Sequence, residues 1–184
     1  MTIYETAIRN FEAAADILTT LQASRVNMLS QALDSMIGRP KAVLSEGYND
    51  IGLSFGLCLP AGKRGDLLKG SEEDTSVEIR TSGISWMTLE GVVPANTVAG
   101  QVYLEIEAQG ESTVVADVFI REIRAGAAVD GPLHEWRISP DGVSVFKLAL
   151  PESDEPGAVS RRVIVHLRQP PRRLVLRRFA MTLF

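Results

Sequence analysis

Gln101-Val102-Tyr103-Leu104-Glu105-Ile106-Glu107-Ala108-Gln109 is the stretch from which the fold can be read. Val102, Leu104, Ile106 and Ala108 face one way, and Tyr103, Glu105 and Glu107 face the other. That is the period-two alternation of an antiparallel strand with one buried and one solvated face. The same pattern recurs downstream. Phe146, Leu148 and Leu150 alternate with Val145, Lys147 and Ala149, and Val163, Val165 and Leu167 alternate with Ile164, His166 and Arg168. Turn-formers separate these runs: Asn96, Gly110, Asp130-Gly131-Pro132, Pro140-Asp141-Gly142, Pro156-Gly157 and Pro170-Pro171. Strands are expected at 42–47, 51–59, 75–81, 84–92, 101–109, 113–124, 133–138, 143–150, 160–168 and 173–183. The stretch 60–74 reads as a long exposed loop. Many strands with polar turns and no amphipathic helix between them give a mainly β fold. We expect an antiparallel two-sheet sandwich of jelly-roll type.

Upstream the register changes. The first Gly is Gly38 and the first Pro is Pro40, so the opening segment carries no helix breaker. Tyr4, Ala7, Ile8, Phe11, Ala14, Ala15, Leu18, Leu21, Met28, Leu29, Leu33, Met36 and Ile37 recur at three- and four-residue spacing, which predicts a long helix over 3–37. Thr2 and Glu5 form a capping-box signature at its start, and Gly38 with Pro40 ends it. Tyr4, Phe11 and Leu18 are seven apart, as are Ala7, Ala14, Leu21 and Met28, with Arg25 interrupting the first series. This spacing suggests an oligomerising coiled coil or an anchor into a larger assembly. The alternative is a helix, broken once, packed on its own sheet. The expected organisation is 1–38 for oligomerisation or attachment, 39–74 as connector strands and exposed loop, and 75–184 as the binding sandwich.

Composition bounds the function. The chain has 184 residues, 45% hydrophobic and 23% charged, enough to bury a core without crosslinks, and the single Cys58 cannot form an internal disulfide. No basic and apolar leader of the Sec type opens it, so synthesis in the cytoplasm is expected, with an extracellular fate only as part of a released particle. No apolar run reaches the length of a membrane span, so no membrane insertion is expected. The net charge of −4 is uneven. From Arg161 onward there are seven Arg and no acid, which leaves −11 for residues 1–160. We expect these Arg to alternate outward and pair with acidic neighbours, and no nucleic-acid partner.

Residues 75–184 resemble the jelly-roll, galactose-binding-like sandwiches found as carbohydrate-binding modules. The similar features are Val102–Ala108, Val118-Phe119-Ile120-Arg121-Glu122, the pair Trp136-Arg137 before a turn, and the closing strand Arg173–Leu183. A helix ahead of a sandwich is more like the attachment and spike proteins of phages and phage-like particles. The resemblance implies a non-enzymatic protein that binds a glycan or surface polysaccharide as an oligomer. A purely structural scaffold or connector is the alternative. Jelly-roll modules often hold structural calcium, which points to the acidic stretches Glu72-Glu73-Asp74 and Glu152-Ser153-Asp154-Glu155. They lack EF-hand spacing, so solvated loops are expected there.

The catalytic vocabulary is sparse. His134 and His166 lack metal-ligand spacing, no Gly-x-Ser-x-Gly elbow occurs, and Cys58 in Leu57-Cys58-Leu59 reads as part of a buried strand. No catalytic residue and no metal ligand is therefore assigned. Gly56–Lys63 fails the P-loop spacing, and Arg64-Gly65-Asp66 is too short a match to carry weight. Glu105 and Glu107 share a strand face and raise the question of a glycosidase pair. The same face suits sugar binding better. Aromatic rings stack on sugar CH faces, while Arg and carboxylates exchange hydrogen bonds with hydroxyls. Tyr103, Glu105, Glu107, Trp136 and Arg137 are the candidate ligand-binding residues, with core packing as the competing role of Trp136. Trp86, in Ile84-Ser85-Trp86-Met87, is assigned to the core.

Overall fold

The computed structural model describes residues 2–70, 75–95, 97, 100–110, 112–124, 127–140, 142–151 and 159–184. In chain order the elements are α1 (Ile3–Ala23), β1 (Arg25–Asn27), α2 (Met28–Ser35), β2 (Lys41–Leu44), β3 (Gly47–Gly52), β4 (Phe55–Leu59), β5 (Gly65–Lys69), β6 (Val77–Thr81) and β7 (Trp86–Val93). They continue with β8 (Gln101–Gln109), β9 (Val114–Arg124), β10 (Ala127–Asp130), β11 (His134–Ile138), β12 (Val143–Ala149), β13 (Val159–Arg168) and β14 (Arg173–Leu183). Among the described residues the strands form two seven-stranded antiparallel sheets. One runs β12-β8-β14-β6-β5-β2, with β1 also on β14. The other runs β10-β9-β13-β7-β4-β3, with β11 also on β9. The chain passes back and forth between the sheets, and the result is the antiparallel jelly-roll sandwich.

Alternation builds the core. In β8, Val102, Leu104 and Ile106 are fully buried while Tyr103, Glu105 and Glu107 stay partly exposed. Val163, Val165 and Leu167 do the same from β13. Phe55 and Phe179 meet edge to face between the sheets, ring centroids 5.4 Å apart, a favoured aromatic geometry.

The expected helix over 3–37 is two helices with a strand between them. The capping box at Thr2 and Glu5 forms as expected. α1 stops at Ala23, and Arg25–Asn27 pairs with Ala180–Thr182 of β14. The Asn27 side chain then accepts from the Ser30 amide and caps α2. The break has a physical cause. Val26 is β-branched, Asn27 is a strong N-cap, and β14 offers unpaired backbone beyond the end of β6. Met28, Leu29, Leu33 and Met36 therefore belong to the sandwich core rather than to a heptad seam. Met28 lies directly over Gly91 of β7, where a Cβ would collide with its Sδ.

The sandwich is accordingly wider than residues 75–184. β2 and β5 lie in one sheet and β3 and β4 in the other, so the strands between Lys41 and Lys69 are part of the two sheets. Gly65–Lys69, expected within an exposed loop, is a strand between β2 and β6. The expected turns at Asn96, Asp141 and Pro156-Gly157 lie outside the described residues.

Candidate functional site

The five residues singled out from sequence do not converge. Tyr103, Glu105 and Glu107 lie on the outer face of the β8 sheet. Trp136 points between the sheets, with 6% of its surface exposed and its ring 5.5 Å from Phe146. Its role is core packing, because its strand partner Ala116 faces the interior and leaves room for a large ring. Arg137, the next residue along β11, points outward from the opposite sheet and approaches Glu135 at 3.6 Å.

The β8 face is held by ion pairs. Arg25 donates from Nε and Nη2 to the two oxygens of Glu105 at 3.2 and 3.0 Å, and Arg178 adds Nη1 at 3.4 Å. Arg178 also lies 3.8 Å from Glu107. The Arg25 hydrogen bonds hold the Glu105 carboxyl below the usual carboxylate range. A glycosidase acid must carry a proton near neutral pH, and the Arg25 and Arg178 contacts favour the ionised form of Glu105 instead. Beside it, Tyr103 meets Phe184 edge to face at 5.1 Å and lies beneath the Lys147 ammonium at 5.7 Å.

The outer face of the other sheet is richer. The strand register places Tyr48, Cys58, Thr88, His166, Asp117 and Glu135 in one row across β3, β4, β7, β13, β9 and β11. At the usual 4.8 Å between strands that row is roughly 24 Å long. The row beside it holds Trp86, Arg168, Val115 and Arg137. Trp86 is half-buried rather than a core residue, and its ring lies 5.5 Å from the His166 ring at 32°. Arg168 forks onto both oxygens of Asp117 and reaches Glu135 at 3.4 Å. His166 Nδ1 lies 3.7 Å from Asp117. The Arg168 hydrogen bonds hold Asp117 below the ordinary carboxylate range.

Further along, the Arg162 guanidinium covers the Tyr48 ring at 4.3 Å and donates to Glu90 at 3.0 Å. Thr88 Oγ1 donates to the other Glu90 oxygen at 2.9 Å. The Tyr48 ring lies over Gly56, where a side chain would displace it. Burial pushes the Tyr48 phenol and the Cys58 thiol up. Cys58 is thus a half-buried residue of the outer face, with Leu57 and Leu59 facing the core. Arg121 lies over Phe119 at 5.6 Å and forks onto Asp130 at 2.6 and 2.9 Å. Chemically, this surface presents flat rings beside guanidinium and carboxylate groups already fixed by one another. It suits ligands with both CH faces and hydroxyls.

Sequence reading missed Trp86, Tyr48 and Arg162. For Trp86 the signal was present: Met87 and Leu89 share the inward phase, so Trp86, Thr88 and Glu90 must face out. Tyr48 and Arg162 meet only through a register set across three intervening strand pairings.

Five of the seven Arg from Arg161 onward, Arg161, Arg162, Arg168, Arg173 and Arg178, pair with carboxylates of their own sheets, as expected of the Arg-rich end. Arg161 lies 3.3 Å from Glu122 and Arg173 donates to Glu78 at 2.8 Å, in addition to the pairs above. Among the described residues no group of three His, Cys, Asp or Glu side chains is placed to hold a metal ion. The two acidic stretches considered for calcium, 72–74 and 152–155, lie outside the described residues. Among the described residues no helix is long and apolar enough to cross a membrane.

No protein-family model matches the chain, and no curated protein matches it. Among solved structures it is similar to the CBM22-2 xylan-binding domain of Paenibacillus barcinonensis Xyn10C, with 8% identity over 70% of this chain and 91% of that one, TM-score 0.47. It is also similar to the xylan-binding module CBM15, with 12% identity over 78% and 97% of the two chains, TM-score 0.45. The enzymatically active domain of bacteriophage CBA120 tailspike protein 4 matches at 13% identity over 79% of this chain, which spans 20% of that one, TM-score 0.37.

Proposed function

We propose that this protein is a non-enzymatic glycan-binding module whose ligand lies across the outer face of the β9-β13-β7-β4-β3 sheet, with α1 as an assembly or attachment segment. The observation that carries the reading is the Trp86–His166 ring pair, flanked by Asp117 and Arg168 in fixed geometry. Half-exposed rings offer stacking surface to a sugar, and side chains already locked by ion pairs lose little entropy on binding. The Arg on this face are paired with carboxylates, so the surface favours a neutral polysaccharide over a polyanion.

The test is binding of the full chain to a glycan array that includes xylan and bacterial capsular polysaccharides. A specific hit lost in Trp86→Ala and kept in Tyr103→Ala places the ligand on this face. A hit lost only in Tyr103→Ala moves it to the β8 face. A clean negative with folded protein overturns the glycan reading and leaves a scaffold or connector role.

A further inference from the structure

We infer that α1 is a self-association segment that packs against α1 of at least two further copies of this chain, in a parallel bundle. The inference deepens the assembly half of the proposal above and is independent of its glycan half. α1 buries none of its residues, although it carries Tyr4 at 82% and Phe11 at 81% exposure with Ile3, Ile8, Ile17 and Leu18 also exposed. Its own sandwich does not cover it. The core it might have joined is filled by α2 instead.

The pattern along α1 is a heptad one. Tyr4, Phe11 and Leu18 form one column, and Ala7, Ala14 and Leu21 the next. Large residues in one column facing small ones in its neighbour suit knobs-into-holes packing between identical helices. The flanking columns are largely apolar: Ile3 and Ile17 with Asn10 between them on one side, Ile8 and Ala15 followed by Gln22 on the other. At 100° per residue these four columns span an arc of about 140°. A two-helix coiled coil covers a narrower seam, so an arc this wide needs two neighbours.

Charge selects the occupant. Glu5, Arg9, Glu12 and Asp16 all lie in the columns away from the seam. One Arg against three acids makes α1 net negative, the wrong sign for an anionic lipid surface, where interfacial helices are rich in Lys and Arg. Identical helices arranged in a closed ring about a single rotation axis are parallel, which places the sandwiches together at the C-terminal end of the bundle.

The experiment is sedimentation equilibrium of the full-length chain, alone and as the double variant Phe11→Glu/Leu18→Glu. The expected result is a wild-type mass at least three times the 20.0 kDa of one chain and a monomeric variant. Near-UV circular dichroism of the variant should match wild type, because neither residue is buried against the sandwich. A wild-type monomer or dimer at micromolar concentration overturns the inference, as does an unchanged mass for the variant. Sedimentation with phosphatidylcholine vesicles that pulls down wild type as a monomer also overturns it, in favour of a lipid surface. Failure of self-association leaves glycan binding to each Trp86 face unchanged, so the two proposals fall separately.

Discussion

Two tryptophans divide the labour at the residue scale. Trp136 packs on Phe146 inside the sandwich, and Trp86 lies on the outer face beside His166. Trp136→Ala removes a buried ring and should cost about 3–5 kcal/mol of unfolding free energy, measured by urea denaturation. Trp86→Ala should cost less than 1.5 kcal/mol, because its ring is already partly in water, while abolishing the ligand-induced change in fluorescence. Equal destabilisation by the two would remove the distinction. The carboxylates give a second residue-scale prediction. Glu105, Asp117, Asp130 and Glu78 are all held below their ordinary range by Arg hydrogen bonds. A carboxyl whose folded pKa is lowered favours the folded state above its unfolded value near 4 and loses that contribution as pH falls through the folded value. The melting temperature should therefore hold from neutral pH to about pH 4.5 and decline below about pH 4. A melting temperature that stays flat to pH 2 would contradict this.

At the scale of elements, the join between α1 and the sandwich is β1. Its three residues complete the β14 edge, and Arg25 ties them to Glu105 across the neighbouring strand. The Arg25 and Glu105 side chains are about a third and a fifth exposed, so solvent screening limits the pair. Arg25→Gln should cost about 1 kcal/mol globally and speed amide exchange locally at Val26 and Asn27. Uniform exchange across the sheet would show that β1 is not a separate hem. α2 is seated by Gly91, which leaves space for Met28. Gly91→Ala should cost about 1–3 kcal/mol by overpacking a fully buried contact, read in thermal denaturation. Met28→Ala in the same background should recover part of that loss. Sequence periodicity found both helices but joined them, because Met28, Leu29 and Leu33 keep helical spacing with Leu18 and Leu21. Spacing records which residues are apolar, and not whether they face the core or a partner.

The whole molecule is a sandwich whose two outer faces are chemically different. On one, Glu105 and Glu107 are shared among Arg25 and Arg178 beside Tyr103. On the other, rows of rings and ion pairs run across β3, β4, β7, β13, β9 and β11. If α1 gathers several copies, the second face is presented more than once, and weak single-site binding becomes strong on a multivalent surface. The Phe11→Glu/Leu18→Glu variant should bind an immobilised polysaccharide at least tenfold more weakly than wild type, yet bind a short soluble oligosaccharide equally. Equal binding in both formats would show that avidity plays no part.

The sequence by itself determined the long alternating strands, because burial on one face of a sheet writes a period of two into residues such as Val102–Ala108 and Val163–Leu167. It also determined the N-cap at Thr2, since capping is local. Only the tertiary structure decided that Trp136 faces in, where the first helix ends, and which candidate residues share a surface. Tyr103 and Trp136 both suit sugar binding as residue types, but one faces out of its sheet and the other into the core between the two. Tyr48 and Arg162 are far apart in the chain and meet through cross-strand register, which depends on pairings that no local pattern encodes.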